Sequence, residues 1–425
     1  MASVFTITEH VIDGQHIREF PRATGSAQEA VLKLAVKQYT PKDNLAPQPR
    51  DITIVAAHAC GFPKELYEAL WDDLYTQLKS KGLRIKSIWI ADCAWQGYSG
   101  QLNEDELGND PSWMDYARDI LHMVNVFRAE ITVPVVAVGH SFGATSLVNV
   151  SLMHPRLFSS IVLLDPVITH HTTSGGLADG PASYSLYRRE QWPSRAAAAG
   201  SFRRSPFYTA WDARVLDSWI THGLRDVSTA RTPSQTTEPT AVALRTTKDQ
   251  ELFTFLRPSW DAFSPDGTKL VDRSLVPDMD LTLPSEYLKW PLYRAEGGVT
   301  LTRLPAVRPP VLYIVGETSE MSSPELRKLR LETTGTGAGG SGGVRDGKVA
   351  EEVVAGRGHL VPMEEPAQCA QFAAKWIVAC MPDIRQELNR FVEWKTRDMK
   401  AKTTMSEEWK KRIPRPERAP KPSKI

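Results

Sequence analysis

The segment Val133-Pro-Val-Val-Ala-Val-Gly-His-Ser-Phe-Gly-Ala144 constrains this chain more than any other. A β-branched run delivers Ser141 into Gly139-His-Ser-Phe-Gly143, and a helix-like apolar stretch follows at once. Gly-x-Ser-x-Gly carries meaning only in this strand–turn–helix setting. The turn is so tight that the serine backbone leaves the ordinary regions, and the flanking glycines spare neighbouring strand and helix a Cβ collision. The arrangement offers Ser141 Oγ, a candidate nucleophile, at the carboxyl edge of a parallel sheet.

The rest of the chain repeats the strand–helix alternation. Residues 5–12 and 31–39 alternate like a leading antiparallel pair, and 51–57 read as a buried strand. A helix is predicted at 63–81, a strand at 84–91, a helix at 113–129, the strand 133–138 with its helix 144–153, and a buried strand at 161–164. Such alternation implies a mostly parallel sheet with right-handed crossovers. The rhythm stops over 167–308, which is rich in Arg, Ser, Thr and Trp with short helical pieces at 210–223 and 247–256, and resumes at 310–315. The predicted organisation is a core in two parts, 1–166 and 309–394, a mainly helical cap at 167–308 over the edge where ligands of open α/β sheets bind, and a tail at 395–425.

Composition narrows the class. A net charge of +1 over 425 residues argues against a dedicated nucleic-acid binder. Residues 395–425 carry eleven Lys/Arg against four Asp/Glu, a balance of +7 that leaves −6 for the remainder. The four cysteines, Cys60, Cys93, Cys369 and Cys380, lack metal-ligand spacing and point to a reducing compartment. No secretory leader pattern and no apolar run of spanning length is present, so no membrane segment is expected. The final Ser423-Lys424-Ile425 is similar to the small–basic–aliphatic address read by the peroxisomal import receptor. Seven glycines crowd residues 334–348. Gly342-Gly-Val-Arg-Asp-Gly-Lys348 mimics a phosphate loop, but Val349 replaces the Mg²⁺-binding hydroxyl and a strand follows in place of a helix, so this stretch reads as a flexible connector.

Serine is a poor nucleophile without a base and an acid that orients the base. His359, in Gly356-Arg-Gly-His-Leu-Val-Pro-Met-Glu-Glu-Pro366 after the last predicted strand, stands where chain order requires the base. His140 lies inside the elbow, and His170-His171 could be a loop pair or metal ligands. The acid has three candidates, in the order Asp165, Glu320, Glu317. Asp165 ends the strand after the serine's helix, whereas Ser319 stands after the next strand where an Asp would be expected. An oxyanion hole would use the amides of Phe142 and of Cys60 in His58-Ala-Cys-Gly-Phe-Pro63, with Gly61 as the next choice for the second. Cys60 has no elbow of its own to make it a nucleophile. No metal site and no cofactor are expected.

Together, His58-Ala-Cys-Gly-Phe-Pro-Lys-Glu-Leu-Tyr67, Gly139-His-Ser-Phe-Gly143, Asp165, Gly358-His359 and the terminal tripeptide resemble the fungal peroxisomal α/β-hydrolases. That group spans toxin-biosynthesis hydrolases, a yeast peroxisomal lipase and the acyl-CoA hydrolases of mycophenolic acid biosynthesis, the last being most similar in motif spacing. The resemblance implies the α/β-hydrolase fold, a Ser141–Asp165–His359 triad and a peroxisomal acyl-CoA hydrolase. It departs at Cys60, where Asn or Gly is expected, and at Ile425, where Leu is usual. A CoA ester would need cations, for which Arg203 and Arg204 are the first candidates, with Arg188, Arg189 and Arg195 behind them. Trp192 and Trp211, with Trp219, could line an acyl pocket. Expected partners are an acyl-CoA or other small acyl ester, the import receptor and a second copy in a homodimer. The alternatives are a lipase or carboxylesterase acting on oxygen esters, and a ligand-binding homologue without turnover.

Overall fold

The computed structural model describes residues 3–170, 180–227, 241–284, 287 and 290–416. His171 and the terminal Ser423, Lys424 and Ile425 lie outside the described residues. The chain divides into two compact units, Met1–Ala379 and Cys380–Ile425. Among the described residues no helix is long and apolar enough to cross a membrane.

The first unit is built on eight strands. β1 (Phe5–Asp13) and β2 (Lys33–Pro41) form the antiparallel lead, and β2 runs antiparallel to β4 (Ile85–Ala91). From β4 the sheet is parallel through β3 (Ile52–Ala57), β5 (Val135–His140), β6 (Ser160–Leu164), the strand Val311–Gly316 and the strand Val349–Val354. Every residue of β3, β5 and β6 is buried, which is why they read as nearly continuous apolar runs. β5 starts two residues later than predicted, directly after Pro134, which has no N–H for a ladder.

Helices cover both faces. α1 (Glu68–Ser80) follows a 3₁₀ turn at Lys64–Tyr67, so the predicted helix 63–81 is two pieces. The six-residue helix α2 (Gly97–Leu102) was not predicted. α3 (Trp113–Val126) is capped by Ser112, whose side chain accepts from the Met114 amide, and buries Trp113, Tyr116, Ala117, Ile120 and Met123. α4 (Phe142–Met153) is buried almost all round, which explains its lack of an amphipathic stripe. One of its neighbours is the helix Glu296–Arg303, held where Asn149 Nδ2 donates to Thr300 Oγ1 at 2.7 Å.

Between β6 and the strand Val311–Gly316 lie the predicted helices, at Ala213–His222 and Lys248–Phe255, with further short ones at Pro181–Tyr187, Arg195–Phe202 and Pro206–Thr209. Two small sheets accompany them, Gln191–Trp192 with Val242–Leu244 and Leu224–Asp226, and Arg257–Pro258 with Leu292–Tyr293. The glycine-rich stretch differs from the expected free coil. Its amides at Gly335, Gly337 and Ser341 donate to the carbonyls of Leu304, Pro305 and Val307, and the strand Val349–Val354 begins directly after it. Glycine here permits positive φ at Gly335, Gly339, Gly342, Gly343 and Gly347 and so lets the backbone fold back on itself.

Candidate active site

β5 passes into α4 with Ser141 as the hinge, at φ 58° and ψ −124°. A non-glycine residue there is strained, and strain of this kind persists only where surroundings enforce it. They do: the Ser141 amide donates to Leu164 O at 3.0 Å and its carbonyl accepts from the Val167 amide at 3.2 Å, so the exit of β6 grips the elbow. The two glycines are steric necessities. A Cβ on Gly139 would stand 2.8 Å from Ala144 Cα, and one on Gly143 would collide with the His58 carbonyl oxygen and stand 2.8 Å from Ala57 C.

His359 follows the strand Val349–Val354 through Gly356, at φ 67°, and precedes the short helix Val361–Glu364. Its Nδ1 lies 2.5 Å from Asp165 Oδ2 and its Nε2 lies 2.8 Å from Ser141 Oγ. A carboxylate only accepts, so Nδ1 carries the hydrogen and Nε2 is left to accept from the serine hydroxyl. Asp165 is fully buried. Burial alone would raise its carboxyl, but the hydrogen bond and charge of His359 and the hydroxyls of Ser319 and Ser322 outweigh it and hold the group below its ordinary value. Ser319 Oγ donates to Oδ2, and Ser322 Oγ donates to Oδ1 at 2.7 Å. Behind them the buried Arg330 donates to Ser322 Oγ at 3.0 Å, to Ile168 O at 3.1 Å and to Met321 O. Of the other acid candidates, Glu320 is exposed, and the exposed Glu317 accepts from the Gly356 amide at 2.7 Å. Ser322 and Arg330 were invisible to sequence reasoning, since a polar helix start and a lone Arg ordinarily face water.

The loop after β3 lies against the N-terminus of α4. His58 Nδ1–H donates to Ala59 O at 2.8 Å, and its Nε2 accepts from the Cys93 amide at 2.9 Å. Burial pushes its pKa below the ordinary value, which suits this neutral form. The Gly61 amide is taken by Gln96 Oε1 at 2.8 Å, whereas among the described residues neither the Cys60 nor the Phe142 amide has an acceptor. The Cys60 thiol is packed elsewhere: it lies 3.7 Å from Glu251 O, receives Gln96 Nε2 at 3.2 Å, and is pushed up by burial. A raised thiol is a poor nucleophile.

The remaining candidates divide. Phe62 stacks on His140, with centroids 6.4 Å apart and planes 3° apart, and receives Trp211 edge-on at 5.5 Å and Trp219 at 6.4 Å. Trp192 packs instead against Phe202 at 5.2 Å. Arg203 and Arg204 are exposed and touch none of Ser141, Asp165 or His359; Arg203 pairs with Asp217 at 3.2 Å. Arg188 is spent on the buried Glu251, and Arg195 on Asp226 and the carbonyls of Ile220 and Thr221. Arg189 lies over the Trp192 ring. His170 stacks on Tyr287 at 5.7 Å.

Similarity agrees with this geometry. Two curated relatives are each 40% identical to the chain: the type I acyl-CoA thioesterase mpaH' of Penicillium brevicompactum, over 96% of this chain and 95% of that protein, and the type I acyl-CoA thioesterase mpaH of Penicillium roqueforti, over 91% and 89%. Among solved structures, the peroxisomal alpha-beta-hydrolase Lpx1 of Saccharomyces cerevisiae superposes with a TM-score of 0.63 over 96% of this chain and 94% of its own, at 16% identity, which speaks for the fold alone. Residues 54–372 match the Alpha/beta hydrolase family, and the chain belongs to it.

Proposed function

We propose that the chain is a serine hydrolase that cleaves an acyl-CoA thioester through an acyl-serine intermediate. The observation that carries this reading is the continuous line from Asp165 through His359 to Ser141 Oγ on a strained elbow. The thioester rests on relatives named type I acyl-CoA thioesterases that match nearly the whole chain.

In the mechanism, Ser141 Oγ attacks the thioester carbonyl while its proton passes to His359 Nε2. Asp165 keeps the imidazole in the tautomer that can accept and offsets the positive charge that forms. The oxyanion meets the Phe142 and Cys60 amides, which among the described residues have no other acceptor to leave. As the tetrahedral species collapses, the carbon–sulfur bond breaks and the thiol departs with the proton from His359. Water then gives a proton to His359, attacks the acyl-serine and releases the acid, and Ser141 recovers its hydrogen. No step needs a cofactor.

Segment 167–308 serves as the cap in this reading, with Trp211 and Trp219 closing over Phe62 beside the elbow. The terminal Ser423-Lys424-Ile425 addresses the enzyme to the peroxisome matrix, where acyl-CoA thioesters are at hand. Side-by-side turnover of an acyl-CoA and its matched oxygen ester tests the substrate class. Preference for the thioester in kcat/KM supports the reading, and preference for the oxygen ester makes the chain a carboxylesterase. Deleting the last three residues should move a fluorescent fusion to the cytosol; a fusion that is cytosolic with the tail intact removes the address.

A further inference from the structure

Two buried groups next to the elbow, Tyr67 and His140, make no hydrogen bond to Ser141 Oγ or to the His359 ring, against which the His140 ring packs with centroids 5.3 Å apart, yet they join the loops that must stay in register. His140, the last residue of β5, is wholly buried. Its Nε2 lies 3.0 Å from the His359 carbonyl oxygen, which only accepts, so Nε2 carries the hydrogen. Its Nδ1 therefore accepts, from the Tyr67 hydroxyl at 3.0 Å. The Tyr67 oxygen in turn receives the Ala59 amide at 2.8 Å. All three bonds point the same way, so each strengthens the next. They tie the loop after β3, the end of β5 and the loop carrying His359 into one run.

The geometry at Ala59 makes the tie consequential. In a trans peptide the C=O of one residue and the N–H of the next lie in one plane and point in opposite directions. The Ala59 carbonyl is pinned by His58 Nδ1 at 2.8 Å and the Ala59 amide by Tyr67, so the direction of the Cys60 N–H is set by groups behind it. At the other end, the bond from His140 fixes the backbone of the residue whose Nε2 faces Ser141 Oγ.

We propose that Tyr67 and His140 are a positioning pair that holds the Cys60 amide and the His359 backbone in mutual register, so that the oxyanion donor and the general base act on one acyl carbonyl. The pair rests on the reading of Ser141 as nucleophile and His359 as base. Burial keeps His140 neutral at working pH, with its pKa lowered to about 3, which preserves the lone pair that Tyr67 needs.

Four variants of the full chain test this: Tyr67→Phe, His140→Leu, His140→Gln and the double Tyr67→Phe/His140→Leu. Rates are counted per active site, with sites titrated by a fluorophosphonate that labels only a working serine, so a partly unfolded preparation does not mimic a loss. Tyr67→Phe and His140→Leu should each lower kcat by about tenfold to hundredfold with KM nearly unchanged, because orientation in the transition state is what is lost. The double variant should be no worse than the poorer single one, and His140→Gln, which can both accept and donate, should recover most of kcat. Wild-type kcat per titrated site in either single variant, additive losses in the double, or no recovery in His140→Gln would overturn the pair. The phosphonate labelling rate separates the two claims. A wild-type protein that labels but does not turn over acyl-CoA refutes the substrate, and the pair is then read from the labelling rates of the same variants. A wild-type protein that does not label refutes the nucleophile and the pair with it.

Discussion

Replacing Asp165 by Asn keeps size and shape and removes one charge. In the resting site that charge is held by three donors, His359 Nδ1–H and the hydroxyls of Ser319 and Ser322, so the buried group is satisfied without Arg330 touching it. In the transition state it also faces an imidazolium. At about 3 Å and an effective dielectric of about 20, opposite unit charges attract by about 5.5 kcal/mol. At about 1.4 kcal/mol per factor of ten, that sets a ceiling of about 10⁴ on the loss in rate. The Asn oxygen can still accept from Nδ1–H, and a neutral hydrogen bond returns about 1 kcal/mol. The expected fall in kcat is therefore about 10³, with KM little changed. The assay is thiol release from acyl-CoA, normalised to titrated sites, with Glu320→Gln as the control expected to stay within about twofold, since an exposed group is screened. Asp165→Asn retaining more than a tenth of wild-type kcat, or Glu320→Gln falling as far, would refute the argument. The pH sign follows from the direction of the shift. A carboxyl held below its ordinary value contributes stability above the unfolded value of 3.8 and loses it only as pH falls through the lower folded value.

Three further outcomes are expected. Ser141→Ala should lose at least about 10³ in kcat while binding substrate with unchanged affinity by calorimetry, because the oxyanion donors survive. Gly143→Ala places a methyl against the His58 carbonyl and Ala57, so it should cost about 1–3 kcal/mol in denaturant unfolding and displace the oxyanion loop, with a fall in kcat beyond what the folded fraction explains. His140 stays neutral in the fold down to about 3 but takes a proton near 6.5 when unfolded, with burial the main cause and the charge of His359 adding to it. Stability should therefore decline as pH falls from 6.5 towards 3, by up to about 1.4 kcal/mol per pH unit for this group, and His140→Gln should flatten that slope in urea midpoints measured between pH 7 and 4.

The parts of the fold read correctly from sequence are those whose contacts are local or periodic. β5 and its elbow declare themselves because an apolar run, two glycines and a helix must follow one another in fixed order. The small strands between β6 and Val311–Gly316 do not, since strands of two or three residues show no period. Bonds such as Trp95 Nε1 to Thr254 Oγ1, at 2.8 Å across 159 residues of chain, leave no local trace. The glycine-rich stretch misled for a related reason: composition reports conformational freedom, and only the carbonyls of residues 304–307 reveal where that freedom is used.

The ambiguity over the acid has a physical origin in the sheet. Leu164 of β6 is in register with Ile314 of the neighbouring strand, so the residues leaving the two strands emerge side by side at the same edge. A carboxylate from either exit could reach His359, and nothing in strand patterning chooses between them. What chooses is the shell around the carboxylate, which must supply donors for a charge taken fully out of water. Ser319, standing at the vacant alternative exit, supplies one; Ser322, held by the buried Arg330, supplies the other. The same reasoning gives an engineering outcome: Asp165→Ser combined with Ser319→Asp exchanges carboxylate and hydroxyl between adjacent exits. The exchanged enzyme should exceed Asp165→Ser alone by at least tenfold in kcat, because the new carboxylate starts within hydrogen-bond reach of the old one's position. Equal activity in the two variants would mean that the positive φ of 40° at Asp165, and not only its charge, aims the carboxylate at His359.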